Sequence, residues 1–320
     1  MAAIDNDKII AFCSQISESE KKLWLEEINQ HLSGKVKLIP FKQLSDLQKC
    51  QIKLAVVANP DPKELDQLVN LQWVQSLWAG VEKLVANLSN KSVKIVKMVD
   101  PKLSSNMAEA VLTFTLYLHR NVPKYIQQQG VKQWKAHQLI DANKRRIGIL
   151  GLGELGRSSA NKLLENGFKV SGWSKSLKNI KGIECFDGEM GFIQLLQQSD
   201  ILICLLPLTI HTKNLMNKES LSLLPKGASI INFSRGQIVN EKDLLDSLNS
   251  KQLNHAVLDV FNIEPLPEEH PFWISTQVTV LPHISAPTDV KSASVVVVKN
   301  IQNYLNYGKV PKAIDIKRGY

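Results

Sequence analysis

Three residues far apart in the chain, Arg235, Glu264 and His283, carry side chains suited to one reaction. An arginine fork matches a planar carboxylate with paired donors, which a lysine cannot do. An imidazole exchanges a proton near neutral pH, and a neighbouring carboxylate stabilises its charged form. Each residue follows an apolar, strand-like run: "IINFS" leads to Arg235, "AVLDVFNI" to Glu264 and "VTVLP" to His283. In an open α/β sheet, ligands bind outside the carboxyl ends of the strands. Singly, each has an ordinary explanation: a surface ion pair, a turn glutamate before proline, a structural histidine. Together at successive strand ends, they point to a reaction centre.

The same rim carries Gly151-Leu152-Gly153-Glu154-Leu155-Gly156, which fits G-x-G-x-x-G. The motif alone is a weak signal, but here a strand precedes it and a helix and another strand follow. Gly151 permits a tight turn, Gly153 lets the backbone approach a pyrophosphate, and Gly156 lets helix and strand pack closely. The helix N-terminus then faces the anion with free N–H groups. A site for NAD usually places an acid about 20 residues on, for the ribose 2′-hydroxyl. Ser174 stands there, followed by Lys175 and Ser176. An acid would repel a 2′-phosphate, whereas hydroxyls and an ammonium bind one. Arg157, in the first turn of the helix, adds charge. NADP(H) is therefore the favoured cofactor, with NAD(H) the alternative.

Those residues need a scaffold, and the chain supplies a repeating one. The 320 residues suit two domains, and 44% are hydrophobic, enough for packed cores. Strand-like runs lie at 8–14, 36–40, 54–58, 71–77 and 93–99, and a helix is expected over 19–32 with Leu23, Ile28 and Leu32 on one face. Pro62 marks the start of another helix. After Asp100-Pro101, residues 104–120 read as a long helix that is apolar nearly all round and ends before Pro123. Such a helix is expected to be buried between domains or subunits. A second series opens at 145–156, with strands at 168–173, 200–207, 228–234, 255–261 and 277–282. A final helix over 288–308 is long enough to return to the first domain. These alternations predict an α/β fold of parallel sheets covered by helices. Residues 1–103 and 289–320 form a discontinuous substrate domain, with a Rossmann-type cofactor domain, 104–288, inserted into it.

Composition removes several other classes. No apolar run is long enough to span a bilayer, and "MAAIDNDKIIAFCSQ" has neither the basic start nor the apolar core of a signal peptide. A cytoplasmic protein without membrane contact is expected. The four cysteines form no C-x-x-C pair and have no histidine at ligand spacing, so no metal site is expected. Cys13 and Cys204 fall in apolar runs and read as core residues. The net charge of +9 comes from scattered lysines without a basic block, which argues against a nucleic-acid partner.

Several segments resemble one family, the D-isomer-specific 2-hydroxyacid dehydrogenases: "GLGELG", "LLPLTIHT", "INFSRGQIVNEKDLLDSL", "AVLDVFNIEPLPEEHPFW" and "LPHISAPT", in the family's order over residues 147–288. "LWAGVE", "WSKS" and the terminal "KRGY" look most like its glyoxylate/hydroxypyruvate reductase branch. The resemblance implies a flavodoxin-like substrate domain and a homodimer. It implies that Arg235 holds a substrate carboxylate and carbonyl, that His283 donates the proton and that Glu264 partners it. Asp259 would meet the nicotinamide carboxamide. The backbone of Ala79, Gly80 and Val81 would cradle the carboxylate, while Pro207, Thr209, Asn232 and Ser234 line the cofactor. The implied activity is reduction of small 2-oxo acids to D-2-hydroxy acids. Hydride transfer builds negative charge on the ketone oxygen, and a protonated His283 neutralises it. Closure of the two domains would exclude water and bring residues 79–81 onto the substrate. Rival readings are a short phosphoglycerate dehydrogenase and a non-catalytic NAD(H)-sensing module of the same fold. Formate dehydrogenases of the family carry Gln where Glu264 stands.

Overall fold

The computed structural model describes residues 9–32, 36–88 and 92–316. It divides into two compact units, Met1–Lys102 with Thr288–Tyr320, and Leu103–Pro287. The "KRGY" terminus lies outside the described residues.

In the first unit, β1 (Ile9–Ser14), β2 (Lys37–Pro40), β3 (Leu54–Ala58), β4 (Trp73–Ser76) and β5 (Lys94–Val96) form a parallel sheet in the order β2-β1-β3-β4-β5. This is the flavodoxin-like strand order. Alternate residues feed two cores, as a sheet covered on both faces requires. Ile10, Phe12, Leu54 and Val56 pack on one side, and Ala11, Cys13, Ala55 and Val57 on the other. The final helix, Val290–Tyr307, joins the first of these cores through Ala293, Val297 and Ile301.

The first helix, Glu18–His31, starts at a capping box formed by Ser17 and Glu20. Its buried face is Trp24, Ile28 and Leu32, while Leu23 is 50% exposed. Ile28 and Leu32 are thus buried as expected, and Trp24 takes the place expected of Leu23. Positions 24, 28 and 32 repeat every four residues and stack on one side of a helix; Leu23 is rotated about 100° from Trp24.

In the second unit, β6 (Arg146–Leu150), β7 (Lys169–Trp173), β8 (Glu184–Phe186), β9 (Ile201–Cys204), β10 (Ala228–Asn232), β11 (Leu253–Leu258) and β12 (Val278–Val280) pair in parallel. The order β12-β11-β10-β9-β6-β7-β8 contains the Rossmann arrangement, with β6 at the reversal point. Strands β9 to β12 are shorter than the apolar runs that predict them, because the residues that follow turn into the loops at the carboxyl edge.

The long helix runs Pro101–His119, with Pro101 opening it. Pro123 does not end it. Asn121 adopts left-handed backbone (φ 57°), and Pro123 sits in the first turn of a further helix, Val122–Gly130. A first-turn proline loses no intrahelical bond, so it starts helices as readily as it breaks them. Met107, Val111 and Leu118 pack against Ile147 and Ile149, whereas Leu116 is exposed. The expected all-round burial is therefore absent within the single chain.

Candidate active site

The glycine loop follows β6 at the centre of the second sheet. Gly151 has φ +106°, a left-handed conformation, and a Cβ there would sit 2.7 Å from the Leu205 carbonyl oxygen. Only glycine suits both constraints. A Cβ on Gly156 would meet the Gly151 carbonyl oxygen at 1.8 Å, so the helix Glu154–Glu165 rests directly on the loop. A Cβ on Gly153 would meet nothing within 4 Å. Gly153 is also exposed and caps that helix. A tight turn, an open backbone and a helix N-terminus together fit the pyrophosphate of a dinucleotide.

At the tip of β7, Ser174 is buried, and its hydroxyl donates to the Ser176 carbonyl at 2.8 Å. Its donor is therefore committed to closing the turn. Lys175 and Ser176 are exposed beyond it, as is Arg157. On the other side of the glycine loop, Thr212 Oγ1 donates to the Pro207 carbonyl (2.7 Å) and accepts from the Thr209 amide (2.7 Å). Thr212 thus shapes the 207–212 loop, a part the sequence reading did not assign.

Three further strand ends carry the reactive groups. His283 Nδ1 lies 2.8 Å from Glu264 Oε2. An ionised carboxylate only accepts, so Nδ1 carries the hydrogen, and Nε2 lies on the far side of the ring from Glu264. The two side chains are 54% and 37% exposed, so the pair is reachable from solvent. Glu264 Oε1 accepts the Phe261 amide at 2.9 Å, which fixes the carboxylate's other end. Arg235 is half-buried, and its Nη1 donates to the Ser234 carbonyl at 2.6 Å.

A hydrogen-bonded frame holds these groups. Asn232 Oδ1 accepts from the Ser234 amide and hydroxyl, and Asn232 Nδ2 donates to the Arg235 carbonyl. One side chain thereby folds the loop that presents Arg235. The Asp259 amide donates to the Asn232 carbonyl. Asp259 is 2% exposed, and its two oxygens accept the Ile284 and Ser285 amides at 2.7 and 2.9 Å. It therefore anchors the segment next to His283, whose backbone is itself left-handed at φ 55°. Glu241 Oε1 accepts the Asn262 amide at 3.0 Å and steadies the loop bearing Glu264. A Cβ on Gly236 would fall 2.0 Å from the Phe261 carbonyl carbon, so glycine brings the Arg235 and Glu264 loops into contact. The structure thus brings Arg235, Asn232, Ser234, Asp259, Glu264 and His283 together at one edge of the second sheet.

Ala79 and Gly80 lie in the first unit, after β4. They are half-buried, and the Val81 side chain belongs to the core. Trp78, just before them, is tied by its amide to Ser76 Oγ and by its carbonyl to the Met98 amide. Other chemistries find little support here. Burial pushes the Cys204 thiol, at the end of β9, up to about 12, which makes it a poor nucleophile. Among the described residues no cluster of His, Cys, Asp or Glu could hold a metal ion, and no helix is long and apolar enough to cross a membrane.

Residues 112–285 match the model of the D-isomer specific 2-hydroxyacid dehydrogenase NAD-binding domain. The chain belongs to this dehydrogenase family. It is 36% identical over 304 residues to glyoxylate/hydroxypyruvate reductase A of Yersinia enterocolitica, covering 92% of this chain and 97% of that one. A D-isomer specific 2-hydroxyacid dehydrogenase from Xanthobacter autotrophicus Py2, solved with NADPH and MES, superposes with a TM-score of 0.91 at 33% identity, over 98% of this chain and 99% of that one. An NADPH-dependent glyoxylate/hydroxypyruvate reductase from Sinorhizobium meliloti, solved with NADP and sulfate, gives 0.88 at 29% identity, over 98% and 100%. The family resemblance, the Rossmann-type fold and the dehydrogenase class expected from the sequence are thus borne out.

Proposed function

We propose that this dehydrogenase is an NADPH-preferring reductase of small 2-oxo acids of the glyoxylate and hydroxypyruvate type, yielding D-2-hydroxy acids. The observation that carries this reading is the Glu264–His283 pair beside the Asn232–Arg235 loop, on the same sheet edge as the glycine loop. The Yersinia relative is named for these two substrates, and the Xanthobacter and Sinorhizobium proteins were solved with NADPH or NADP. When bound, the nicotinamide supplies the hydride. Arg235 grips the substrate carboxylate in a two-point contact and fixes the carbonyl carbon. Protonated His283 gives its Nε2 proton to the carbonyl oxygen as negative charge develops there. Glu264 holds the ring through Nδ1 and stabilises the imidazolium while it lasts.

In this reading residues 104–288 bind the dinucleotide, and residues 1–103 with 289–320 bind substrate through the 79–81 backbone. Lys175, Ser176 and Arg157 meet the 2′-phosphate. The working unit is a cytosolic homodimer. Ile126, Val131, Trp134 and Leu139 are exposed apolar side chains on and after the second helix of the inserted unit, as a dimer face requires. The cysteines are all free, and exposed Cys50 suits a reducing compartment.

The test is steady-state oxidation of NADPH and of NADH with a panel of 2-oxo acids. The expected result is turnover of glyoxylate or hydroxypyruvate, with kcat/KM roughly tenfold or more higher for NADPH. A clear NADH preference defeats the cofactor assignment. Tight cofactor binding without turnover of any 2-oxo acid favours the sensing module instead.

A further inference from the structure

A cavity lies wholly within the first unit. It has a volume of about 300 Å3, at the small end of ligand pockets. It opens at the carboxyl end of β1, between the ends of β2 and β3. In a sheet of this strand order, that is where the chain direction reverses and where ligands collect. The 79–81 backbone follows β4, a different strand end.

The cavity's walls are apolar: Phe12 from β1, Leu25 from the first helix and Phe41 after β2. Most of the charges around it are already paired. Glu18 meets Lys21 at 2.6 Å, and Lys22 meets Glu26 at 3.8 Å. Two charges are left over. The Glu64 side chain makes no hydrogen bond or ion pair among the described residues, although its Oε2 is buried. Lys42, on the short turn Phe41–Gln43, is exposed, and its side chain also has no hydrogen bond or ion pair there. Buried polar atoms are nearly always satisfied, so an orphaned carboxylate oxygen needs an explanation. Burial and Asp61 hold the Glu64 carboxyl above the usual range, while Lys42 and Lys21 pull it back. The field of Lys42 therefore reaches Glu64.

We propose that this cavity is a binding site for a free α-amino acid with an apolar side chain. The ammonium group donates to Glu64, the carboxylate meets Lys42, and the side chain rests on Phe12, Leu25 and Phe41. The terminal torsion of a glutamate is soft, so either of its oxygens can turn towards a donor in the cavity. A ligand without an ammonium leaves the buried Glu64 oxygen unmatched, which is costly, and one without a carboxylate gives up the attraction of Lys42. An α-amino acid differs from a 2-oxo acid only at its second carbon. If the proposed reductase activity holds, the chain would bind 2-oxo acids and α-amino acids with different side chains, at separate strand ends. The binding itself does not rest on that reading.

The test is calorimetric titration of the full chain, without cofactor and again with saturating NADPH. The ligands are L-leucine, isocaproate (no ammonium) and isoamylamine (no carboxylate), with L-alanine and L-valine to gauge side-chain size. The expected result is saturable binding of leucine in both conditions, with both single-charge analogues at least tenfold weaker. Glu64→Gln and Lys42→Ala should each weaken leucine at least tenfold. Lys42 is exposed, so its variant carries the test even if Glu64→Gln folds poorly. Three results overturn the proposal: no saturable binding of any amino acid, isocaproate or isoamylamine binding as tightly as leucine, or unchanged leucine affinity in Lys42→Ala. Loss of reductase activity would leave the binding result intact, and the reverse also holds.

Discussion

Two parts of the second sheet's carboxyl edge are built to different tolerances. Around His283, almost every polar group has a partner. Asn232 folds the Arg235 loop, Asp259 binds two amides beyond His283, and Glu264 is held by the Phe261 amide. At the tip of β7, Ser174 is held by its amide on the Phe186 carbonyl and its hydroxyl on the Ser176 carbonyl, but the Lys175 side chain projects without a hydrogen bond or ion pair among the described residues. The difference fits the work proposed for each part. Proton transfer and carboxylate alignment fail when atoms move by about an ångström. Attraction between an ammonium and a phosphate falls off slowly with distance and needs no fixed geometry. A rigid frame is worth its conformational entropy only at the first.

The sharpest way to break this contrast is to remove the acid. His283→Ala should lower kcat by about 100- to 10,000-fold while NADPH still binds, measured by turnover and by cofactor titration. Near-native turnover would take His283 out of its role. Arg235→Lys comes next. A point charge replaces a fork, so kcat/KM for the 2-oxo acid should fall by roughly 100-fold, with cofactor affinity unchanged.

Asp259→Asn tests the frame itself. Asparagine keeps the shape but loses one acceptor, leaving a buried amide facing an NH2 group. Unfolding stability should drop by about 1–3 kcal/mol, with kcat falling together with it. A variant of native stability and full activity would show that the anchor is dispensable. The smallest effect belongs to the loose region. Lys175→Ala should reduce the NADPH-to-NADH ratio of kcat/KM by about five- to tenfold, about 1–1.4 kcal/mol, without altering kcat for NADPH. A larger loss, or a change in kcat, would mean that the tip is more tightly coupled to the chemistry than its few restraints indicate.

The sequence conveyed different parts of this with different clarity. The alternation of buried strands and amphipathic helices is carried by local apolar periodicity, and so both parallel sheets were legible. Gly151 and Gly156 were legible because a Cβ has no room at either, and Gly153 because it completes their spacing. Trp24 was overlooked in favour of Leu23 because both are apolar and neighbouring, and only the packing partner decides which turns inward. Pro123 was misread because proline has two opposite meanings at helix ends, and Asn121 in left-handed backbone decides between them. The roles of Asp259, Thr212 and Glu241 were hidden for another reason. Each acts on main-chain groups brought near by folding, and a main-chain amide leaves no mark in the residue type that carries it.

The most direct measurement is a crystal structure of the protein with NADP+ and oxalate, a carboxylate that cannot be reduced. Oxalate is expected beside the nicotinamide, with one carboxylate on the Arg235 guanidinium and an oxygen within hydrogen-bonding distance of His283 Nε2, whose Nδ1 keeps its contact with Glu264. Oxalate bound away from Arg235 and His283, or a nicotinamide seated at another strand end, would contradict it.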